Sequence, residues 1–218
     1  MRKISEKTKI KEHRGEGTGA NYKPWIYINE LNSQGTSTAV VDYKHGRTIQ
    51  LLSQGEVYYY YLLRWQDDVI DIREQYPLDL NLTIKISNDL GFKHPKDNST
   101  HMTTDLLVTK KDGTLEAYSI KSNKKILDEP RTLEKLYIEK LYWEAKHVPF
   151  HLKYKSEINR TLIQNIIDVT SCYDIEKVHD IFGAARYKIA HKDIIVDMET
   201  APLDYNDIIH RYLTKDGE

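Results

Sequence analysis

The stretch from Thr103 to Lys121 constrains this chain more than any other. Two short β-rich runs, Thr103 to Thr109 and Leu115 to Lys121, are joined by Lys110-Lys111-Asp112-Gly113. Asp-Gly is a strong hairpin signal, so the runs predict paired antiparallel strands. Alternation puts Leu115, Ala117, Ser119 and Lys121 on one face of the second strand, with Glu116, Tyr118 and Ile120 on the other. On the first strand, Asp105 interrupts an otherwise apolar run, Leu106-Leu107-Val108. An aspartate on one strand and a lysine at the end of its mate are therefore expected to face the same point. Glu56, in the first turn of an earlier helix, offers another acid.

That set suits metal-dependent phosphodiester hydrolysis. Two carboxylates hold Mg²⁺, with Mn²⁺ as a substitute, through hard oxygen ligands and retained waters. The metal polarises the scissile phosphate and acidifies an attacking water. Lysine orients that water or offsets charge on the pentavalent phosphorus. The backbone carbonyl of Ile120 completes the expected shell. Each residue also has a plainer reading. Ser53-Gln54-Gly55-Glu56 fits a capping box. Asp105 fits a turn or cap residue at a strand start. Lys121, followed by Lys124 and Lys125, fits a solvated strand end.

Around the hairpin the pattern predicts a mixed α/β core over residues 20–155. Ser53 to Trp65 reads as a helix with Ser53 as N-cap, and Val57, Tyr60, Tyr61 and Arg64 at helical spacing. Two of the four tyrosines from Tyr58 to Tyr61 are expected in the core. Val69 to Tyr76 reads as a strand, Leu80 to Ile86 as another, and Asn88 to Thr100 as a polar loop. Pro130 to Lys146 is the clearest helix, with Leu133, Leu136, Tyr137, Leu141 and Trp143 as its apolar face. Phe150 to Tyr154 follows as a strand. Tyr22 to Val41 reads as loop and short strand, and His45-Gly46-Arg47 as a turn before Thr48 to Leu51. Residues 156–218 predict a separate module: a helix over Ile158 to Tyr173, then two or three small helices with a strand pair.

Composition narrows the class. Hydrophobic residues make up 39% and charged residues 30%, so a packed core is expected rather than disorder. No apolar run approaches the roughly 18 residues that span a bilayer, and the N-terminus shows no apolar signal region. A soluble protein of the reducing interior is expected. The single cysteine, Cys172, excludes a disulfide framework and a cysteine-rich zinc site. His45 and His101 lack ligand spacing for zinc. Net charge is −1, which argues against a strongly basic DNA-coating protein. Residues 1–15 nevertheless hold six Lys/Arg against two Glu, and residues 1–19 read as a flexible basic arm suited to a phosphate backbone. Lys93, His94 and Arg131 are further candidates for phosphate contact, and Gln75 for support of the site from a neighbouring strand.

Six segments, taken in order, carry a pattern of their own. They are Asn21-Tyr22-Lys23-Pro24-Trp25, then His45-Gly46-Arg47 with Leu51-Leu52-Ser53 and Glu56, and then Asp71-Ile72-Arg73-Glu74-Gln75-Tyr76-Pro77-Leu78. Gly91-Phe92-Lys93-His94-Pro95, Met102-Thr103-Thr104-Asp105-Leu106-Leu107-Val108, and Arg131-Thr132-Leu133-Glu134-Lys135-Leu136 with Tyr142-Trp143 complete the series. In this order they resemble the TnsA family, the endonuclease subunit of heteromeric cut-and-paste transposases, over roughly residues 15–160. The resemblance implies a restriction-endonuclease-like fold with a PD-(D/E)xK site. Glu56 then matches the helix glutamate, Asp105 the metal-binding aspartate and Lys121 the catalytic lysine. The family usually places Glu or Gln two residues before that lysine, where this chain has Ser119. An ungapped alignment would put Lys121 at the Glu/Gln place and Asn123 at the lysine place; a shorter hairpin turn restores Lys121, with Lys124 or Lys125 as the fallback.

The resemblance further implies cleavage at the 5′ ends of a transposon, beside a DDE-type transposase, TnsB, that cuts and joins the 3′ ends. It implies a winged-helix-like C-terminal module over residues 156–218 that contacts the AAA+ regulator TnsC. It also implies a bacterial cytoplasmic, nucleoid-associated location. Two competing readings remain on the same residues: a stand-alone restriction or repair nuclease, and a non-catalytic DNA-binding scaffold subunit.

Overall fold

The computed structural model describes residues 4–30 and 37–214, apart from the side chains of Lys96 and Asp97. Residues 1–3 of the expected arm and 31–36 of the expected 22–41 loop lie outside the described residues. The chain divides into two compact units, 1–157 and 158–218.

The first unit is built on a four-stranded mixed sheet. Counting in chain order, β1 (Thr38–Val41) and β2 (Thr48–Leu51) form a small antiparallel hairpin of their own. The main sheet has the order β3-β4-β5-β6, from β3 (Val69–Pro77), β4 (Thr103–Lys110), β5 (Leu115–Lys121) and β6 (Phe150–Tyr154). β3, β4 and β5 pair antiparallel, and β6 joins β5 in parallel. That parallel pairing needs a crossover, which α4 (Pro130–Ala145) supplies. The turn at Asp112-Gly113 closes the β4–β5 hairpin, with Gly113 at φ +83°.

Helices cover both faces. On one side α4 and α3 (Leu80–Asp89) share a core with the sheet, in which Ile138, Tyr142 and Trp143 meet Leu107 and Ala117. On the other side lies α2 (Gln54–Arg64). A Cβ added at Gly55 would come within 3.0 Å of the Ile120 side chain, so glycine lets the helix start sit directly on β5. Tyr59 and Tyr60 are the two tyrosines of the run that become buried.

Segment 80–86 is helical, not extended. Leu80, Leu82, Ile84 and Ile86 alternate as a strand would, but Leu82, Ile86 and Leu90 also recur at i, i+4 and i+8. The second period wins because Asp79 caps the start, accepting the Leu82 amide at 2.7 Å, and because Leu82, Ile86 and Leu90 pack on the α4 core. The buried face of α4 is also rotated from the expected one. Leu136, Ile138, Glu139, Tyr142 and Trp143 are inside, whereas Leu133 and Tyr137 are exposed.

The described part of the expected arm is structured. Ser5 caps α1 (Glu6–Lys11), and the helix is held to the unit by side chains. Glu6 accepts from His101 Nδ1 at 2.7 Å, and Lys9 lies over the Trp25 ring. Arg14 is buried, donating to Glu30 at 2.6 Å and Glu12 at 2.7 Å. Gly15, at φ +82°, fits where a Cβ would strike the Pro77 ring at 2.3 Å. Two of the arm's cations, Lys9 and Arg14, are thus spent on tertiary contacts rather than offered to phosphates.

The described residues of the second unit form three α-helices, α5 (Arg160–Thr170), α6 (Ile181–Ala190) and α7 (Tyr205–Tyr212). Its core includes Ile163, Ile166, Ala185, Ile189 and Ile208. Asn165 stitches the connecting segment, donating to the carbonyls of Met198 and Ala201 and accepting the Leu203 amide. The expected strand pair is absent among the described residues. Ile194 to Val196 run through an irregular segment, in which the Ile194 amide donates to the Lys188 carbonyl at 3.3 Å.

Candidate active site

The β4–β5 hairpin register places Leu106 across from Tyr118, and so Asp105 across from Ser119. Asp105 Oδ2 accepts the Ile120 amide at 2.6 Å and Lys121 Nζ at 3.2 Å. Lys121 Nζ also donates to Ser119 Oγ at 2.9 Å and to the Ile120 carbonyl at 3.2 Å. The aspartate, serine and lysine picked out by alternation therefore meet at one point. Lys124 and Asn123 are engaged elsewhere. Lys124 pairs with Glu157 at 2.9 Å, and Asn123 caps the following turn by accepting the Lys125 amide.

Glu56 enters from the start of α2. Ser53 Oγ accepts the Glu56 amide, as an N-cap does. The reciprocal half of a capping box is missing, because the carboxylate takes the amide of Leu52, at 2.8 Å, rather than that of Ser53. Gln75 Nε2 donates to the same oxygen, Oε2, at 3.0 Å. Glu56 is 5% exposed. Burial, reinforced by the charge of Asp105, pushes its carboxyl up to about 8.

Glu139 of α4 is the acid that the sequence pattern did not single out. It is 5% exposed, accepts from Thr104 Oγ1 at 2.8 Å and is hydrogen-bonded to Ser119. Trp143 Nε1 donates to Thr104 Oγ1 at 2.7 Å and so fixes the hydroxyl that holds the acid. Burial, with Asp105 again adding to it, raises Glu139 to about 7. Burial opposes the charge of Lys121, but Asp105, Glu139 and Glu56 outweigh it and hold the ammonium more firmly protonated than usual. Three carboxyl groups thus surround one lysine, so the acids outnumber the cation in the cluster.

Among the described residues, no three His, Cys, Asp or Glu side chains gather tightly enough to hold a metal by themselves. A cation here would draw on Asp105 and Glu56, the Ile120 carbonyl and water. These are the hard oxygen donors that Mg²⁺ takes. Burial comes first in raising both Glu56 and Glu139, with the charge of Asp105 second, so a cation beside them would favour their ionised forms.

The three phosphate candidates fare differently. His94 is buried, with Nε2 3.0 Å from Thr83 Oγ1 and Nδ1 3.1 Å from the Pro95 carbonyl, so it packs against α3 instead of meeting a phosphate. Lys93 is exposed. Arg131 pairs with Glu134 at 2.6 Å on the surface of α4. Arg47 of the expected turn is structural: it grips the buried Glu74 with two bonds, at 2.7 and 2.8 Å. No helix among the described residues is long and apolar enough to cross a membrane.

Comparison with known proteins adds to this geometry. Residues 66–155 match the family described as TnsA-like endonuclease N terminal, a span that contains Gln75, Asp105, Ser119, Lys121 and Glu139. Over 161 residues the chain is 40% identical to the Transposon Tn7 transposition protein TnsA of Escherichia coli. That alignment takes in 72% of this chain and 59% of the longer relative. With the catalytic-domain match and most of its length so aligned, this chain belongs to the TnsA family.

Proposed function

We propose that this protein is the DNA endonuclease subunit of a cut-and-paste transposase, cleaving the 5′ ends of the mobile element on a PD-(D/E)xK-type core. The observation that carries the reading is the meeting of Lys121 and Asp105, 3.2 Å apart, at a point walled by two further buried acids. Asp105, Glu56 and the Ile120 carbonyl would hold a Mg²⁺ ion, or Mn²⁺ in its place. That cation, when bound, supplies Lewis acidity and charge neutralisation to the scissile phosphodiester.

The chain's own groups do the rest. Asp105 accepts the Lys121 ammonium and fixes it at the site. Lys121, by turning one of the N–H donors now spent on Asp105, Ser119 and the Ile120 carbonyl, orients the attacking water, and its charge stabilises the pentavalent phosphorus. Ser119 stands where the family usually has Glu or Gln, and its hydroxyl links Lys121 to Glu139. The acid missing from β5 is thereby supplied from α4. Glu139, poised near neutrality, can hold or release a proton beside the lysine.

Family membership supports a proposal for the partners. A DDE-type transposase, TnsB, cuts and joins the 3′ ends, and the AAA+ regulator TnsC engages the assembly, with the three-helix unit as a partner-binding surface. Lys93 and Arg131 touch DNA phosphates, Arg131 after leaving Glu134. The test is end-specific cleavage in the reconstituted assembly. Asp105→Ala should abolish 5′-end cuts while 3′-end cuts and complex formation persist. Continued 5′ cleavage by that variant would refute the site.

A further inference from the structure

Gln75 has a backbone conformation that nothing in its own strand requires. Its φ is +48°, in the left-handed region that a residue with a long side chain seldom adopts, yet it lies within β3. The flanking pairs, Glu74 with Leu106 and Tyr76 with Thr104, place it across from Asp105. The side chain is buried, and its Nε2 donates to Glu56 Oε2 at 3.0 Å. The Leu52 amide reaches the same oxygen at 2.8 Å. Oε2 is therefore clamped by two N–H donors. The Ser53 side chain adds a further hydrogen bond to the same carboxyl group.

The amide's orientation follows from its partners. A carboxylate already holding a backbone N–H needs a donor from Gln75, which puts Nε2 toward Glu56. Gln75 Oε1 is then the group that Thr103 Oγ1 approaches, at 3.4 Å. Behind the side chain, the Gln75 carbonyl accepts the Trp25 amide at 3.3 Å, which anchors the reversed backbone. Local breaks in a strand re-aim a side chain, and strain of this kind concentrates at functional sites.

We infer that Gln75 is a positioning residue: standing beside Asp105 and clamping Glu56, it sets the spacing and orientation of the two carboxylates for the cation. The inference rests on the reading of Glu56 and Asp105 as cation ligands. Outer groups that orient a ligand are typically worth about 10–100-fold in metal affinity.

The test is Mn²⁺ titration of the full chain, with free Mn²⁺ read by electron paramagnetic resonance, in the presence and absence of duplex DNA. Thermal unfolding is followed in parallel. Gln75→Gly suits the left-handed backbone and should melt within a few degrees of the parent. It should nevertheless weaken Mn²⁺ binding by about 10–100-fold, because the clamp is gone. Gln75→Glu keeps the shape but replaces the donor with an acceptor, and should weaken binding at least as much. Parental Mn²⁺ affinity in Gln75→Gly would overturn the inference and leave Gln75 a backbone feature. If Asp105→Ala binds Mn²⁺ as the parent does, with or without DNA, the cation-ligand reading falls and this inference falls with it.

Discussion

Glu56 holds a proton in the folded protein at pH values where the unfolded chain would have released it. Its ordinary value is 4.5 and its folded value about 8. Between those limits the native state binds more protons, so stability falls as pH rises through the window. Glu139 shifts in the same direction, to about 7. In chelated protein the melting temperature should therefore drop from pH 5 to pH 8.5, and Glu56→Gln should flatten that slope. A slope unchanged in Glu56→Gln would show that the carboxyl is not buried as described. Adding Mg²⁺ should restore stability most at the alkaline end, since the ligands must be deprotonated to bind it. At this scale the sequence was legible where chemistry broke a pattern. Asp105 stood out in an apolar run and Lys121 followed from alternation. Glu139 was hidden because α4 carries other glutamates, Glu134 and Glu144, at solvent-facing positions. The available signal was its helical neighbourhood: Leu136, Tyr142 and Trp143, at i−3, i+3 and i+4, are all buried. Reading the apolar face through Leu133 and Tyr137 instead turned Glu139 outward. In the reconstituted assembly Glu139→Gln should reduce 5′ cleavage by about 10–1,000-fold, the range of a lost acid–base or electrostatic group, with end binding retained. Parental cleavage rates would remove Glu139 from the chemistry.

Among the elements, α2 must be held at both ends to present its glutamate. At its start Ser53 and Leu52 fix the first turn. At its end Arg64, fully buried, donates to Asp42 at 3.0 and 3.2 Å and to the Ile70 carbonyl at 3.2 Å. Arg64→Ala would leave Asp42 an uncompensated buried charge. It should lower unfolding free energy by about 3–5 kcal/mol in urea titration, with a smaller loss arguing that water enters the gap. Neither end of this anchoring was visible as such in the sequence, because Asp42 and Arg64 lie 22 residues apart. The hairpin, α2 and α4 were legible because turn chemistry, capping and helical spacing each spoke with one voice. α3 was not, since its alternating leucines and isoleucines satisfy two periods at once, and only the Asp79 cap and packing on α4 decide between them.

For the molecule as a whole, charge is divided between the units. Residues 158–218 hold seven Lys/Arg against eleven Asp/Glu, leaving 1–157 with twenty-five against twenty-two. Neither unit is a strongly basic body, so counterion release offers the lone chain little purchase on DNA. Fluorescence anisotropy with a transposon-end duplex at physiological salt should give a Kd no tighter than about 1 μM for the chain alone. Nanomolar binding would mean that it finds its ends unaided. The division into units was foreseeable from the shift to acidic, short apolar clusters after residue 155. The missing strand pair was not, because Ile194 to Val196 carry β-branched residues that read as a strand while Asn165 ties down the segment just after them.

The docking of residues 4–15 has a practical corollary for anyone handling the protein. Ser5 is already a helix cap, Arg14 is already buried, and Trp25, which Lys9 covers, bonds to the carbonyl of the residue that clamps Glu56. An affinity tag or fluorophore attached at the first residues sits only a few bonds from that chain of contacts. A label there will report on the integrity of the site around Glu56, and will also put it at risk.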